Sequence, residues 1–330
     1  MKKIRHITGG PGFKAALIFI VVLAVFPLIT QESYVLHVGI LCMMYACYAS
    51  AWNLVSGYAG IFGLGFQALA GIGGYTSALL AIKLGVSPWI GIFAGALLAM
   101  IAGAIFSVPC LKLKEMSYIA ISSMCMGECV RLIVSNLVDL TRGEMGLWGM
   151  GDFTDIGPII FSGGNRISYW YLILIFLAIF LLIVNRIVKS PLGRALNSIR
   201  DSQPASASLG INVISIKILI YMISSCMVGF IGGFYAHYMQ IMTPTSVLGA
   251  QVMTSIVAMT LLGGLGTMSG PVIGAFLITI MTETLRILGD YRMVVYGAMI
   301  ILTIIFLPKG IWGTISPFVM ALINKKAAKK

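Results

Sequence analysis

The chain has 330 residues, of which 59% are hydrophobic and only 10% charged, with a mean hydropathy of +1.01 and a formal charge of +12. A soluble domain carries about a quarter charged residues, so the composition excludes a water-soluble globular protein and indicates an all-α polytopic membrane protein. The basic residues fall in short runs between apolar segments, a pattern that reflects membrane orientation better than nucleic-acid binding.

A hydrocarbon core of about 30 Å needs roughly 20 mostly apolar residues per helix. In chain order, candidate spans cover 15–30, 34–55, 58–82, 87–108, 116–139, 169–188, 213–240, 249–267, 269–288 and 292–308. That gives a basic segment at 1–14, a membrane domain at 15–313 and a basic tail at 314–330. The run at 15–30 is short enough to resemble a signal peptide, but no small-x-small cleavage site precedes Glu32, so it reads as a retained span. Ten spans place both termini on one side. Lys2, Lys3, Arg5, Lys14, Lys112, Lys114, Arg186, Lys189, Arg194, Arg200, Lys309 and the tail lysines fall on that side, while Lys83, Arg142, Arg166 and Arg292 fall on the other. The positive-inside rule then puts both termini in the cytoplasm.

Six cysteines (Cys42, Cys47, Cys110, Cys125, Cys129 and Cys226) lie in or beside apolar spans without a CxxC pair, and read as small packing residues instead of metal ligands. His37 and His237 sit near span ends and read as interfacial side chains. Enzyme signatures are missing. The sequence has no Gly-Lys dipeptide and hence no phosphate-binding GxxxxGK[ST] loop, and it has neither GxSxG nor HExxH. If transport here runs on ATP, hydrolysis takes place on a separate chain.

Between Ser190 and Asn212 the chain turns polar, reading SPLGRALNSIRDSQPASASLGIN. Pro191 suits a first helical turn, because its missing N–H would be unpaired there anyway. Leu192, Ala195, Leu196 and Ile199 share one face, and Arg194, Asn197, Arg200 and Asp201 fall mostly on the other. Pro204 ends or restarts the helix, and Gly210 has the character of a C-cap. On these features alone the segment is either an interfacial helix on anionic lipid or a contact for a soluble motor.

The stretch GRALNSIRDSQPASASLGIN resembles the cytoplasmic coupling segment of bacterial ABC-importer permeases, especially those for branched-chain amino acids. Similar stretches follow the same order in LVSGYAGIFGLGFQALAGIGGYTSALL (54–80), FYAHYMQIMTP (234–244), LLGGLGTMSGPVIGAF (261–276) and FLPKGIWG (306–313). The chain is similar to the M-type permease subunit of such importers. That resemblance implies an ATPase-coupling role for Gly193, Arg194, Ala195, Leu196, Ile199, Arg200, Asp201 and Gly210. It also implies a second homologous permease subunit, two ABC ATPase subunits holding ATP and Mg, an extracytoplasmic solute-binding protein, and a place in the bacterial inner membrane. No cofactor or metal is expected on this chain.

The glycine-rich stretches support a physical reading of their own. Gly57, Gly60, Gly63, Gly65, Gly71, Gly73 and Gly74 are expected within one span, and Gly263, Gly264, Gly266, Gly270 and Gly274 around the turn between two others. Glycine weakens an ordinary helix by up to about 1 kcal/mol relative to Ala. Irregular backbone at membrane depth survives only where protein or a water-filled cavity covers it. Gly57, Gly60, Gly65, Gly73, Gly264 and Gly266, with the polar Gln67, are therefore candidates for a translocation path or gate; tight helix packing is the other reading. Their placement would suit an inverted repeat of five spans, although no residue-by-residue repeat is visible. Glu128 with Arg131 and Glu283 with Arg286 stand at i, i+3 within spans, either as structural ion pairs or, for Glu128, as part of the path or gate. In the loop 141–168, Glu144, Asp152 and Asp155 are candidates for docking a binding protein or simply for a solvated loop.

The reading that joins these features is a permease subunit for branched-chain or other small apolar amino acids, driven by ATP hydrolysis on partner chains. A related permease for urea, short amides or a sugar is the alternative. A stand-alone secondary transporter or channel is the rival from another class, and an embedded enzyme lacks any convergent catalytic set.

Overall fold

The computed structural model describes residues 11–113, 115–155, 157, 160–161 and 165–288, with 297–298, 301, 305 and 310–314 beyond them. Most of the expected span at 292–308, the basic residues at 2–5 and 325–330, and Lys114, Arg292 and Lys309 lie outside the described residues. The chain is mostly helical. Its principal helices are α1 (Pro11–Ile29), α2 (Ser33–Asn53), α3 (Phe66–Leu84), α4 (Pro88–Lys112), α5 (Met116–Asn136), α6 (Arg166–Lys189), α7 (Pro191–Asp201), α8 (Gln203–Ser208), α9 (Val213–Met239), α10 (Ala250–Gly263) and α11 (Gly270–Thr284). The two-residue strands β1 (Leu147–Trp148) and β2 (Ile241–Met242) pair antiparallel and fasten the 137–165 connection to the end of α9.

Six helices among the described residues are long and apolar enough to cross a membrane: Ser33–Tyr58, Pro88–Leu111, Met116–Asn136, Arg166–Lys189, Val213–Met239 and Pro244–Gly263. Phe19–Ile29 and Gly270–Thr284 are shorter apolar helices. α3 is diluted by Gln67, Thr76, Ser77 and three glycines. The protein is an integral membrane protein, as these helices require.

The span expected at 58–82 is not continuous, which corrects the placement of its glycines. A π-helical turn, Leu54–Tyr58, prolongs α2; residues 59–65 are non-helical; α3 starts only at Phe66. Gly57 therefore closes α2, while Gly60, Gly63 and Gly65 lie in the connection. The chain leaves the helix there because Gly60 adopts φ +69°, a left-handed conformation that costs other residues roughly 1–2 kcal/mol. Gly71, Gly73 and Gly74 do lie in a helix.

The helix α9 is the centre of the bundle and packs on α3 and α4 along most of its length. Small residues permit the closeness. A Cβ added at Gly73 would stand 2.2 Å from the Gly229 carbonyl oxygen, and one at Gly95 would stand 2.3 Å from the Gly73 carbonyl oxygen. Three helices thus meet backbone to backbone, as small residues allow in lipid, where dispersion replaces the hydrophobic effect as the adhesive.

At the end opposite α7 and α8, the loop after α5 folds back over the bundle. Phe153 inserts among Trp89, Phe161, Tyr169 and Phe234. His237, expected at an interface, is instead fully buried under that loop. Its Nδ1 lies 3.2 Å from the Gly151 carbonyl and its Nε2 lies 2.9 Å from Ser77 Oγ. A carbonyl only accepts, so Nδ1 donates to Gly151 and Nε2 accepts from the serine hydroxyl. The packing role expected for the cysteines holds for the buried Cys42, Cys47 and Cys110 but not for Cys125 and Cys129, which are exposed on α5.

Gly73→Ala tests the three-helix contact. Its methyl group overpacks the junction, and about 1–3 kcal/mol of lost stability is expected. That loss should appear as a lower melting midpoint of the detergent-purified protein; a wild-type midpoint would refute the backbone contact.

Candidate functional site

The polar segment folds as two short helices with a cap at each end. Ser190 caps α7, its Oγ accepting from the Gly193 amide at 3.4 Å, and Pro191 occupies the first turn. Gly193 is required sterically: a Cβ there would lie 2.2 Å from the Val188 carbonyl oxygen. The chain turns at the extended Ser202, which in turn caps α8 through a 3.4 Å bond from the Ala205 amide. The break therefore falls at Ser202, and Pro204 sits inside the first turn of α8. Gly210 adopts φ +81° and ends the pair, after which Asn212 caps α9 by accepting from the Ser215 amide at 3.1 Å.

Gly193, Leu196 and Ile199 are buried against the bundle, with Leu192 and Ala195 half-buried beside them. Ser206 is fully buried and clasps the two helices, its Oγ lying 2.8 Å from Ser198 Oγ. Lys217 Nζ donates to Gln203 Oε1 at 3.1 Å and ties α8 to α9. Arg194, Asp201 and most of α8 point outward, ending in Leu209, which is 78% exposed. An aliphatic side chain so exposed beside polar neighbours was not singled out from sequence, although its place just before Gly210 was the available signal.

Arg200 behaves differently from Arg194. Its Nη1 donates to the Gly57 carbonyl at 2.9 Å, and its Nε lies 3.7 Å from Asp201 Oδ1. A Cβ at Gly60 would stand 3.1 Å from Arg200 Cγ, and one at Gly266 would stand 3.2 Å from Arg200 Nη1. One arginine thus touches both glycine-rich connections. Asn53 completes the junction: its Oδ1 accepts from the Gly266 amide and its Nδ2 donates to the Thr267 carbonyl, each at 2.8 Å. Asn53 was missed in the sequence, where the signal was a lone amide near the end of an apolar span. Gly264, at φ +126°, and Gly266, at φ +73°, hold backbone conformations that side-chain-bearing residues rarely adopt.

Polar side chains cover the connection at 59–65. Trp52 Nε1 donates to the Gly63 carbonyl at 2.7 Å, Ser56 Oγ to the Ile61 carbonyl at 2.9 Å, and Ser123 Oγ accepts from the Leu64 amide at 2.8 Å. Gly65 approaches α5 so closely that a Cβ would be 2.1 Å from the Ser123 carbonyl oxygen. Gln67 is buried nearby; its amide nitrogen packs over Gly127, and its Oε1 has no hydrogen-bond partner. Gly73 stands apart from this group, in the three-helix contact.

Glu128 and Arg131 pair as their spacing predicts, Oε1 accepting from Nη2 at 2.5 Å and from Nε at 2.8 Å. Arg131 Nη1 also lies 3.7 Å from Glu144 Oε1, so one cation links α5 to the loop beyond it. The pair lies on α5, the least covered of the six long apolar helices, and the Glu128 side chain is 44% exposed. Glu283 and Arg286 are 3.7 Å apart. Of the loop acids, Glu144 is exposed, and Asp155 Oδ1 accepts from the Phe161 amide at 2.6 Å. Asp152 turns inward: its Oδ1 accepts from Tyr169 Oη at 3.0 Å and from Gln240 Nε2 at 2.5 Å. Among the described residues, no group of three or more His, Cys, Asp or Glu side chains is arranged to hold a metal ion.

Comparison with known proteins gives a family match over residues 34–304, to the permease component of branched-chain amino acid transport systems. The high-affinity branched-chain amino acid transport system permease protein LivM of Escherichia coli K12 is 28% identical over 319 residues, covering 90% of this chain and 74% of that protein. The probable branched-chain amino acid transport permease LivM of Methanocaldococcus jannaschii is 25% identical, over 74% of this chain and 79% of its own. The guanosine ABC transporter permease NupQ of Bacillus subtilis is 26% identical, over 61% and 66%. No solved structure gives a significant match. The matched region contains the polar helix pair, both glycine-rich connections and the bundle around them, and the chain belongs to the branched-chain amino acid transport permease family.

Proposed function

We propose that the chain is the permease subunit of a binding-protein-dependent importer for branched-chain or other small apolar amino acids, powered by ATP hydrolysis on partner chains. The substrate reading follows the relatives that match most of the chain, which are branched-chain amino acid permeases, whereas the guanosine permease covers less of it. The observation that bears the mechanism is the Arg200–Gly57 bond, which joins the protruding helix pair to irregular backbone inside the bundle.

In this reading α7 and α8 form the coupling element, with Arg194 and Leu209 facing an ATPase subunit that holds ATP and Mg. Closure of two such subunits displaces α7. Arg200 passes the displacement to the π-helical turn Leu54–Tyr58, a geometry frequent at functional sites. Asn53 couples that turn to the connection at 264–269. A five-span inverted repeat would relate α2 and α3, the second and third spans, to α9 and α10, the seventh and eighth. Ten spans result when α1, α3, α11 and 292–308 join the six long apolar helices, with both termini and α7–α8 in the cytoplasm.

Exposed charge at membrane depth is costly against lipid. The Glu128–Arg131 pair on α5 is accordingly covered by the homologous second permease subunit, at the border of the aqueous path. A solute-binding protein delivers substrate at the opposite end, where Glu144 and Asp155 lie in the loop.

Two sets of variants test this assignment. Arg200→Gln removes a charge-assisted bond worth about 1.5–3 kcal/mol, so uptake should fall about tenfold or more while the ATPase subunits still co-purify. Arg194→Glu combined with Leu209→Asp should lose the ATPase subunits altogether. Equal effects on assembly from both sets would reject the division between an inward and an outward arginine. Separately, Glu128→Gln should impair amino acid uptake without loss of membrane assembly, and normal uptake by that variant would remove Glu128 from the path.

A further inference from the structure

At the end of the bundle opposite α7 and α8 lies a cavity of about 480 Å³, within the ordinary size range of small-ligand sites. It opens between the first turns of α2 and α6 and the last turn of α9. Two charged side chains of opposite sign line it, Arg166 and Asp152. Among the described residues they form no ion pair with each other, so each keeps its charge available to something between them.

Both groups are held in place by neighbours. Arg166 opens α6 and donates through Nη1 to the Ser33 carbonyl, its one hydrogen bond among the described residues from a guanidinium that carries five N–H donors. Asp152 is positioned by Tyr169 and by Gln240, which adopts φ +57° at the end of α9. A left-handed conformation at a non-glycine residue is uncommon, and here it directs an amide onto the carboxylate. His37 and Tyr238, bonded at 2.6 Å and stacked at 5.6 Å between ring centroids, furnish a flat aromatic wall.

We infer that this cavity is a binding site for the zwitterionic head of a free amino acid, Arg166 taking the α-carboxylate and Asp152 the α-ammonium, with the aromatic wall beside the side chain. A simple anion would meet Asp152 and a simple cation would meet Arg166. A ligand bearing one charge of each sign satisfies both. The inference rests on the proposed amino acid substrate, and it makes the cavity the first stop after release from the binding protein.

The test uses the assembled permease and ATPase complex in lipid nanodiscs, without binding protein, titrated with leucine, leucinamide and N-acetyl-leucine. Leucine should bind at least about tenfold more tightly than either singly charged analogue, the scale of one charge-assisted hydrogen bond. Arg166→Gln should reduce leucine binding to the level of leucinamide, and Asp152→Asn, which keeps an acceptor for Tyr169 and Gln240, to the level of N-acetyl-leucine. Arg166→Lys should recover part of the preference, which a purely structural arginine at this corner would not do. Equal binding of the three ligands, no binding to the wild-type complex, or wild-type leucine affinity in both neutralised variants would overturn the site. Leucine uptake by the complete importer is measured alongside. Failure of the wild-type importer to accumulate leucine rejects the proposed substrate, whereas normal uptake with charge-blind binding rejects only the cavity.

Discussion

Every backbone amide and carbonyl at membrane depth must find its partner inside the protein, because lipid offers none. The connection at 59–65 is where this constraint bears hardest. It joins α2 to α3, and Gly65 sits against Ser123 and Gly127, seven and eleven residues into α5 from Met116 and thus roughly 10–17 Å from the start of that helix. Side chains take the place of the missing helical ladder. Trp52, Ser56 and Ser123 serve the Gly63, Ile61 and Leu64 backbone, while Arg200 and Asn53 serve Gly57, Gly266 and Thr267. Glycine is what lets those partners approach, since a Cβ at Gly57 would lie 2.1 Å from Asn53 Oδ1.

The same arrangement makes the two glycine-rich connections one mechanical unit. Asn53 bonds directly to the 266–267 backbone from the last residue of α2, and Arg200 reaches Gly57 four residues further on. A displacement of α7 cannot leave the second connection untouched unless one of these bonds breaks. Coupling of this kind needs contiguous packed groups with more than one stable arrangement. The π-helical turn supplies a segment whose backbone is not committed to the regular i→i−4 ladder.

Much of this was legible in the sequence, and what was not has a common cause. Apolar runs gave most of the helices, and Pro191 and Gly210 gave the limits of the polar pair, because helix starts and stops are local chemistry. The glycines at 57–65 announced irregular backbone, but composition alone could not separate Gly73, which serves helix packing, from Gly60 and Gly65, which serve the connection. Arg200 and Arg194 look equivalent on a helical projection, since both leave the apolar face. Only the position of Gly57 in space turns Arg200 inward. Asn53 and Gln240 stayed silent for the same reason: each acts on a partner more than 80 residues away in sequence.

The two ends of the bundle are held by different kinds of contact. Opposite α7 and α8, the long loop is fastened by the β1–β2 pair, by His237 holding both Ser77 and Gly151, and by the ring cluster around Phe153. The His237 and Phe153 contacts are buried and mutually supporting, and close-packed aromatic rings have few alternative arrangements. The other end is held by the buried Leu196 and Ile199 of α7 and by polar bonds at Arg200, Ser206 and Lys217, each worth only about 0.5–3 kcal/mol net. That difference suits the proposed coupling role, in which one end moves while the other keeps its shape.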